Sequence, residues 1–345
     1  MKNDVKNRDL KKRIFAASAE NFNDLALDLF RFQYQNNPVY RQYCDAVHVD
    51  STQVHTLEKI PFLPISFFKT HTIKTTDFNT DLIFESSGTT PTYLPEKLST
   101  NSKHHIHDVQ IYRTSFMTNF KKMYGLPENK CILGLLPSYL ERKNSSLVHM
   151  MADLIKASGH ELSGFYLYDH DKLHRTLMHN ELLKIPTLLI GVTYALLDFA
   201  KQYPMPLRHT LVMETGGMKG RREEMTRQQV HALLQNQLGV SLVHSEYGMT
   251  ELLSQAYSKG DGIFHCPNWM QVLIREEDDP FNIMTANRAI AKSINGVLNI
   301  IDLANVYSCS FIATDDVGRL HSNGSFEVLG RLDNSDIRGC SLMIL

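Results

Sequence analysis

Phe84-Glu85-Ser86-Ser87-Gly88-Thr89-Thr90 is the stretch on which the reading of this chain turns. Leu82, Ile83 and Phe84 make an apolar run of β character, which breaks into small hydroxyl-bearing residues and a glycine. Such a run is too small and too polar to pack as core. It offers a tight turn of backbone N–H groups and hydroxyls around a concavity, which is what a polyphosphate requires. A plain Ser/Thr/Gly surface loop between two elements is the other reading of the same residues. On the first reading Ser86, Ser87, Gly88, Thr89 and Thr90 are nucleotide-binding candidates.

A second stretch, Ser245-Glu246-Tyr247-Gly248-Met249-Thr250-Glu251, follows a strand-like Val240–Val243 and leads into what reads as a helical run. Between the two stretches the pattern alternates strand and helix. Apolar runs at 131–136, 162–166, 187–191 and 210–213 read as strands, with helical patterns at 172–183 and 193–201. Repeated βα units imply a mostly parallel sheet covered on both faces. Ligands in such sheets bind at the carboxyl ends of strands. Three elements lie there: Gly191-Val192-Thr193-Tyr194, Glu214-Thr215-Gly216-Gly217-Met218 and the Ser245–Glu251 stretch. Gly216 and Gly217 have no Cβ to keep a flat base off the backbone.

Composition narrows the function classes. With 345 residues and 43% hydrophobic content, the chain has enough apolar mass for a large core in two or three subdomains. Net charge is −1 and no basic run stands out beyond short groups such as Lys219-Gly220-Arg221-Arg222, so nucleic acid is not an expected partner. The polar start Met-Lys-Asn-Asp-Val lacks the apolar core of a signal peptide. The longest greasy run, residues 187–199, is too short and interrupted to span a bilayer, so a cytoplasmic protein is expected. Five cysteines without a CxxC pair argue against a disulfide framework and a zinc site. Cys340, flanked by Arg338, Gly339 and Ser341 near the chain end, stands where burial is least expected.

The remaining segments frame that core. Residues 1–50 read as helical, with Phe22, Leu25, Leu29 and Phe32 on one stripe. The prolines of Ile60-Pro61-Phe62-Leu63-Pro64 forbid a continuous helix there, leaving an extended packed segment or the wall of an apolar pocket. Residues 101–124 read as a helix whose His104 and Asp108, at i and i+4, suit either a metal pair or a polar helix start. From residue 260 onward, short runs at 263–264, 269–274, 297–301, 310–314 and 326–329 read as strands of a small β unit. Within it lie Thr314-Asp315-Asp316-Val317-Gly318 and Gly330-Arg331; paired aspartates more often form turns than sites.

In this order, the motifs at 86–90, 245–251, 314–318 and 330–331 resemble those of the adenylate-forming enzymes: acyl-CoA synthetases, luciferases and peptide-synthetase adenylation domains. The narrower likeness is to the acyl-protein synthetases of bacterial luminescence fatty acid reductase complexes. The resemblance implies the large α/β N-terminal domain of that fold, with mostly parallel sheets, a small β-rich subdomain and no mobile C-terminal domain. The chain then divides into a helical region 1–80, an α/β nucleotide-binding core 81–258, a β-rich subdomain 259–333 and a tail 334–345 carrying Cys340.

The resemblance also implies ATP and Mg²⁺ as cofactors. The loop Ser86–Thr90 holds the β- and γ-phosphates, Thr250 touches the α-phosphate and Glu251 binds the metal. Glu246, Tyr247 and Gly248 face the nucleotide, with Tyr247 stacked on adenine opposite Gly216 and Gly217. Asp316 takes the ribose hydroxyls and Arg331 reaches the nucleotide. The chain departs from the pattern after Thr90, where Pro91-Thr92-Tyr93-Leu94-Pro95-Glu96-Lys97 delays the expected lysine, and at Asp315, which replaces a glycine. The implied reaction turns a fatty or other carboxylic acid into acyl-AMP and passes the acyl group to Cys340 or to a reductase partner. A thiolate is the strongest side-chain nucleophile near neutral pH, although a terminal thiol is equally compatible with no role. An acyl-CoA ligase like the phenylacetate-CoA ligases and a non-catalytic nucleotide-binding subunit are the alternatives.

Overall fold

The alternation of apolar runs and helical patterns between residues 131 and 258 folds as a mostly parallel sheet wrapped in helices. This computed structural model describes residues 10–86, 101–136, 144–216, 225–284 and 292–332. The candidates Ser87, Gly88, Thr89, Thr90, Gly217 and Cys340 lie outside the described residues. In chain order the strands are β1 (Leu63–Pro64), β2 (Leu82–Glu85), β3 (Lys103–Ile106), β4 (Cys131–Leu135), β5 (Gly164–Phe165), β6 (Thr187–Gly191) and β7 (Thr210–Glu214). They continue as β8 (Val243–Tyr247), β9 (Ala256–Ser258), β10 (Met270–Arg275), β11 (Ile283–Met284), β12 (Ser293–Asp302), β13 (Phe311–His321) and β14 (Phe326–Arg331).

The first sheet has the order β5-β4-β6-β7-β8-β9 and is parallel except at β9. β4 and β6 are buried along their whole length, as continuous apolar strands covered on both faces must be. Apart from Thr193–Gln202, the crossover helices begin at side-chain caps. The Ser145 hydroxyl accepts from the Val148 amide ahead of Ser146–Ser158, and Thr226 with Gln229 closes a capping box on Arg227–Leu238. Both helices stop at a left-handed glycine, Gly159 and Gly239, where a Cβ would be strained. β5 and β6 lie on opposite sides of β4, so strand order reverses there.

The second sheet has the order β1-β13-β12-β10-β11, with β14 also on β13. It is antiparallel apart from β1, whose Leu63 and Pro64 run parallel to Ile312 and Ala313. Pro64, which has no N–H to give, is tolerated because β1 is an edge. The apolar pattern located β10, β12, β13 and β14 but undershot their length, since β12 and β13 extend through polar residues to Ser293 and His321. Phe30, Tyr40 and Phe62 all meet Phe311, with ring centroids 6.3, 6.1 and 6.2 Å away. Each such buried ring contributes on the order of 2 kcal/mol, and together they fasten the N-terminal helices Phe22–Asn36 and Pro38–Ala46 to β13.

The N-terminal region also grips a loop through buried polar groups. Gln33 lies on the buried stripe of its helix, whereas Phe32, placed there by the spacing, is only half-buried. The Gln33 amide donates to the carbonyls of Asn305 (3.0 Å) and Val306 (3.2 Å) and accepts from the Ser310 amide (2.9 Å). Asn37 donates to the Ser308 carbonyl at 3.0 Å, and the Thr75 amide donates to the Tyr307 carbonyl at 2.8 Å. Residues 305–310 are thereby fixed from outside their own sheet.

Two expectations are corrected. Residues 101–124 are not one helix: Lys103–Ile106 is β3, paired antiparallel with β2, and the helix is Val109–Tyr124. Asp108 caps that helix through the Gln110 amide and pairs with Lys11, so it is not a helical neighbour of His104 and the metal pair is gone. No helix follows Glu251 either: β8 runs through Tyr247, the chain turns, and β9 comes back antiparallel to it.

Candidate active site

Because β8 continues through Ser245, Glu246 and Tyr247, alternate side chains leave opposite faces of the sheet. On one face the Tyr247 hydroxyl donates to Asp316 at 2.7 Å, and its ring packs among Phe264 and Phe326. On the other face Glu246 lies among Tyr112, Tyr124 and Tyr257, whose hydroxyls are pushed up by burial and then by the Glu246 carboxyl. Burial, reinforced by Glu214, pushes Glu246 itself up to about 8. One of its oxygens fills the space that a Cβ on Gly248 would need.

Glu214, at the end of β7, has the opposite fate. Burial raises its carboxyl, but His231, Ser245, Arg227 and the Gly216 amide outweigh burial and hold it well below the usual carboxylate range. It accepts from the Gly216 amide at 2.7 Å and the Thr193 hydroxyl at 2.9 Å, and Arg227 and His231 each stand 3.7 Å away. Of two neighbouring buried carboxyls, Glu214 keeps its charge and Glu246 its proton. Arg227 and His231 also line a cavity of about 450 Å³ reaching Leu242, Val328 and Leu329; its lining does not include Glu251, Asp316 or Arg331.

The turn after β8 is held from beneath. Thr250 accepts at its carbonyl from His104 Nδ1 (2.9 Å) and Glu251 from Asn305 Nδ2 (2.7 Å). The amides of Leu253 and Ser254 both donate to Asp302 at 2.9 Å, and the Ser254 hydroxyl donates to the same carboxylate at 2.6 Å. Trp269 closes this network by donating from Nε1 to the hydroxyls of Ser254 and Ser115. Burial pushes Asp302 up to about 6 and His104 down to about 4, so at neutral pH the first is charged and the second is neutral. A buried, satisfied polar network of this kind fixes one geometry.

Glu251 itself is buried, and burial raises its carboxyl. A hydrogen bond from Ser102 and the charges of Arg331 and Lys69 oppose that rise. Ser102 is in turn bound to Ser86, amide to hydroxyl at 2.8 Å, and its carbonyl accepts from the Ser86 amide at 3.0 Å. The first residue of the hydroxyl-rich stretch is therefore one hydrogen-bonded step from Glu251.

Asp316 comes from the second sheet. Between Val297–Val317 and Asn299–Ala313, the three residues Thr314, Asp315 and Asp316 face the single residue Leu298, so β13 bulges. The bulge frees carbonyls that a regular ladder would bind, and buried Arg275 takes them: its guanidinium donates to Leu298 (3.2 Å) and Thr314 (2.7 Å). The Asp316 amide donates to the Thr314 hydroxyl at 3.1 Å. Asp316 pairs across the strands with Arg331, whose Nε stands 3.3 Å from its carboxylate, and burial still raises Asp316 on balance.

Ser86, Glu246, Tyr247, Gly248, Thr250, Glu251, Asp316 and Arg331 thus gather at the end of β8, linked through Ser102 and Tyr247. Gly216 adjoins Glu214 one strand away. The sequence reading missed Ser102, Asp302, Asn305 and Arg275, which carry no motif, and took His104 only as half of a metal pair or as part of a polar helix start. Among the described residues no group of three His, Cys, Asp or Glu side chains is poised to cage a metal. No helix among them is long and apolar enough to cross a membrane.

Residues 9–112 match the family model for the acyl-protein synthetase LuxE. The likeness to the acyl-protein synthetases is thereby established. The chain is also 23% identical, over 92% of its length and 86% of the other's, to the long-chain-fatty-acid–luciferin-component ligase of Aliivibrio fischeri. Among solved structures it is similar to ATP-bound MatB of Rhodopseudomonas palustris, with a TM-score of 0.51 and 16% identity over 74% of this chain. The fold is accordingly that of the adenylate-forming enzymes, and this chain spans about half (50%) of the MatB structure.

Proposed function

We propose that this protein is an acid–thiol ligase that uses ATP to convert a fatty or other carboxylic acid into acyl-AMP and then passes the acyl group to a protein cysteine. A ligase is the class that both sequence comparisons support. The observation that carries the reading is the junction of Ser86, Ser102, Glu251, Arg331, Asp316 and Tyr247. It brings hydroxyl donors, a buried carboxyl, a cation and a second carboxylate to one strand end.

In the first step a carboxylate oxygen of the acid attacks the α-phosphorus, and the bond to the bridging oxygen breaks as pyrophosphate leaves with its electron pair. Such a step rests on positioning and charge neutralisation. Ser86 and the loop Ser87–Thr90 would hold the outer phosphates, Thr250 the α-phosphate and Asp316 the ribose. Tyr247 would line the base pocket with Gly248, Gly216 and Gly217, and Glu246 would back that strand end from the opposite face. Arg331 and Lys69 supply positive charge beside Glu251. The donor set also fits Mg²⁺: a carboxyl raised by burial gains from a divalent countercharge, and one carboxylate with phosphates and waters is a sufficient shell. Bound there, the ion would neutralise charge on the phosphates. In the second step the thiolate of Cys340 attacks the acyl carbon, AMP leaves, and the thiol proton goes to solvent; a reductase subunit is the proposed next acceptor.

The test is mass spectrometry of the intact protein after incubation with ATP and a panel of acids. An acyl adduct lost in Cys340→Ser, while pyrophosphate exchange is retained, supports both steps. Free acyl-CoA formed with no adduct favours the acyl-CoA ligase reading.

A further inference from the structure

Ser102, His104 and Ile106 alternate along an extended segment and are all buried, so one face of this arm points into the protein. Ser102 reaches the carboxyl of Glu251, and His104 the carbonyl of Thr250. The His104 ring is enclosed on its other sides. The edge of Phe68 meets it at 5.5 Å and 78°, and the Ser308 hydroxyl stands 2.7 Å from Nε2. The Ser308 carbonyl is held in turn by Asn37 and by the Thr75 hydroxyl.

The partners settle the tautomer. A carbonyl oxygen only accepts, so Nδ1 carries a proton toward Thr250. On a neutral ring Nε2 is then an acceptor, and the Ser308 hydroxyl donates to it. A continuous path results: N-terminal helices, Ser308, His104, Thr250. We infer that His104 is a positioning residue of the site: a neutral imidazole, protonated at Nδ1, that sets the Thr250–Glu251 turn in register with the arm returning from the hydroxyl-rich loop. The inference rests on the proposed nucleotide chemistry for its functional consequence and, for the tautomer, on the two hydrogen bonds together with the burial that keeps the ring neutral.

The experiment has two arms. With ¹⁵N-histidine-labelled full-length protein at neutral pH, the His104 resonance, assigned by its loss in His104→Asn, should show the proton on Nδ1. A proton on Nε2 alone, or on both nitrogens, overturns the inference whatever the enzyme does. In the second arm, acid-dependent pyrophosphate exchange is followed as a function of Mg²⁺. His104→Phe removes both bonds and should raise the Mg²⁺ needed for half-maximal exchange about tenfold, the worth of one buried hydrogen bond, with the KM of the acid unchanged. His104→Asn, which keeps a donor and an acceptor, should recover most of that loss, and Ser308→Ala should fall between. Equal Mg²⁺ dependence in wild type and His104→Phe, or a matching rise in the acid KM, contradicts the positioning role. If wild type gives no exchange with any acid, the functional reading fails while the tautomer still stands or falls on the first arm.

Discussion

The turn after β8 and the bulge in β13 both deliver an acid to the same place, but they are built in different ways. The turn is held by residues from distant segments: His104 from β3, Asp302 and Asn305 from the end of β12 and beyond, and, behind those, Gln33 and Asn37 from the N-terminal helices. The bulge is held within its own sheet, by Arg275 of β10 and by Thr314, two residues from the aspartate it positions. A parallel sheet presents function at its strand ends, where the backbone leaves the ladder and must find partners elsewhere. An antiparallel strand can present it mid-strand, because one bulge re-aims a side chain and one buried cation answers the freed carbonyls.

That difference is open to attack. Asp302→Ala takes an acceptor from four buried donors at once, the amides of Leu253, Ser254 and Ala304 and the Ser254 hydroxyl, and should cost about 4 kcal/mol of stability in urea unfolding. Amide exchange should accelerate at Leu253 and Ser254 and spread to β3; a loss under 1 kcal/mol would contradict a turn held from beneath. Arg275→Leu should cost about 3 kcal/mol, since it leaves the Thr314 carbonyl and the Asn299 side-chain oxygen unanswered in the interior. Its effect should stay within β12–β14 and leave the Leu253 amide protected.

The pair Glu214 and Glu246 extends the contrast to pH. Glu246 is raised from 4.5 to about 8, so between those values the folded protein holds a proton that the unfolded chain has lost. Stability must therefore fall as pH rises through that window, by an amount on the order of 2 kcal/mol once screening is allowed for. Glu246→Gln should flatten the slope of Tm between pH 5 and 8 relative to wild type. Glu214 is depressed, and its contribution is lost only as pH falls below the usual carboxylate range, so Glu246→Gln should leave the acid limb unchanged. An unaltered slope above pH 5 would show that Glu246 is ionised. The smallest effect is expected from Tyr247→Phe, which removes a hydrogen bond joining the two regions and should cost about 1 kcal/mol with a rise in nucleotide KM.

The parts legible in the sequence were those written in local pattern. β4, β6 and β7 matched within a residue because buried parallel strands are continuous apolar runs bounded by polar breaks. Ser86 stood out by its hydroxyl-rich run, whereas Glu251, Asp316 and Arg331 were candidates only through the resemblance to the adenylate-forming motifs. The place of His104 was not legible: one histidine among three in Lys103–His107 gives no sign that it alone is buried between Thr250 and Ser308. Gln33 and Arg275 were hidden for the same reason, because their partners are far away in the chain and no spacing encodes them. The end of β8 was misplaced because Ser245, Glu246 and Tyr247 are too polar to read as strand, yet they pair with β9 through Ser258, Tyr257 and Ala256.

The central claim is that these two differently built regions form one site for activating a carboxylic acid with ATP. Acid-dependent exchange of radiolabelled pyrophosphate into ATP, in wild type beside Glu251→Gln and Asp316→Ala, measures it most directly. The account predicts exchange with at least one fatty or other carboxylic acid, abolished by the first substitution and strongly weakened by the second. Exchange undiminished in both variants, or no exchange by wild type across the whole panel, would contradict it.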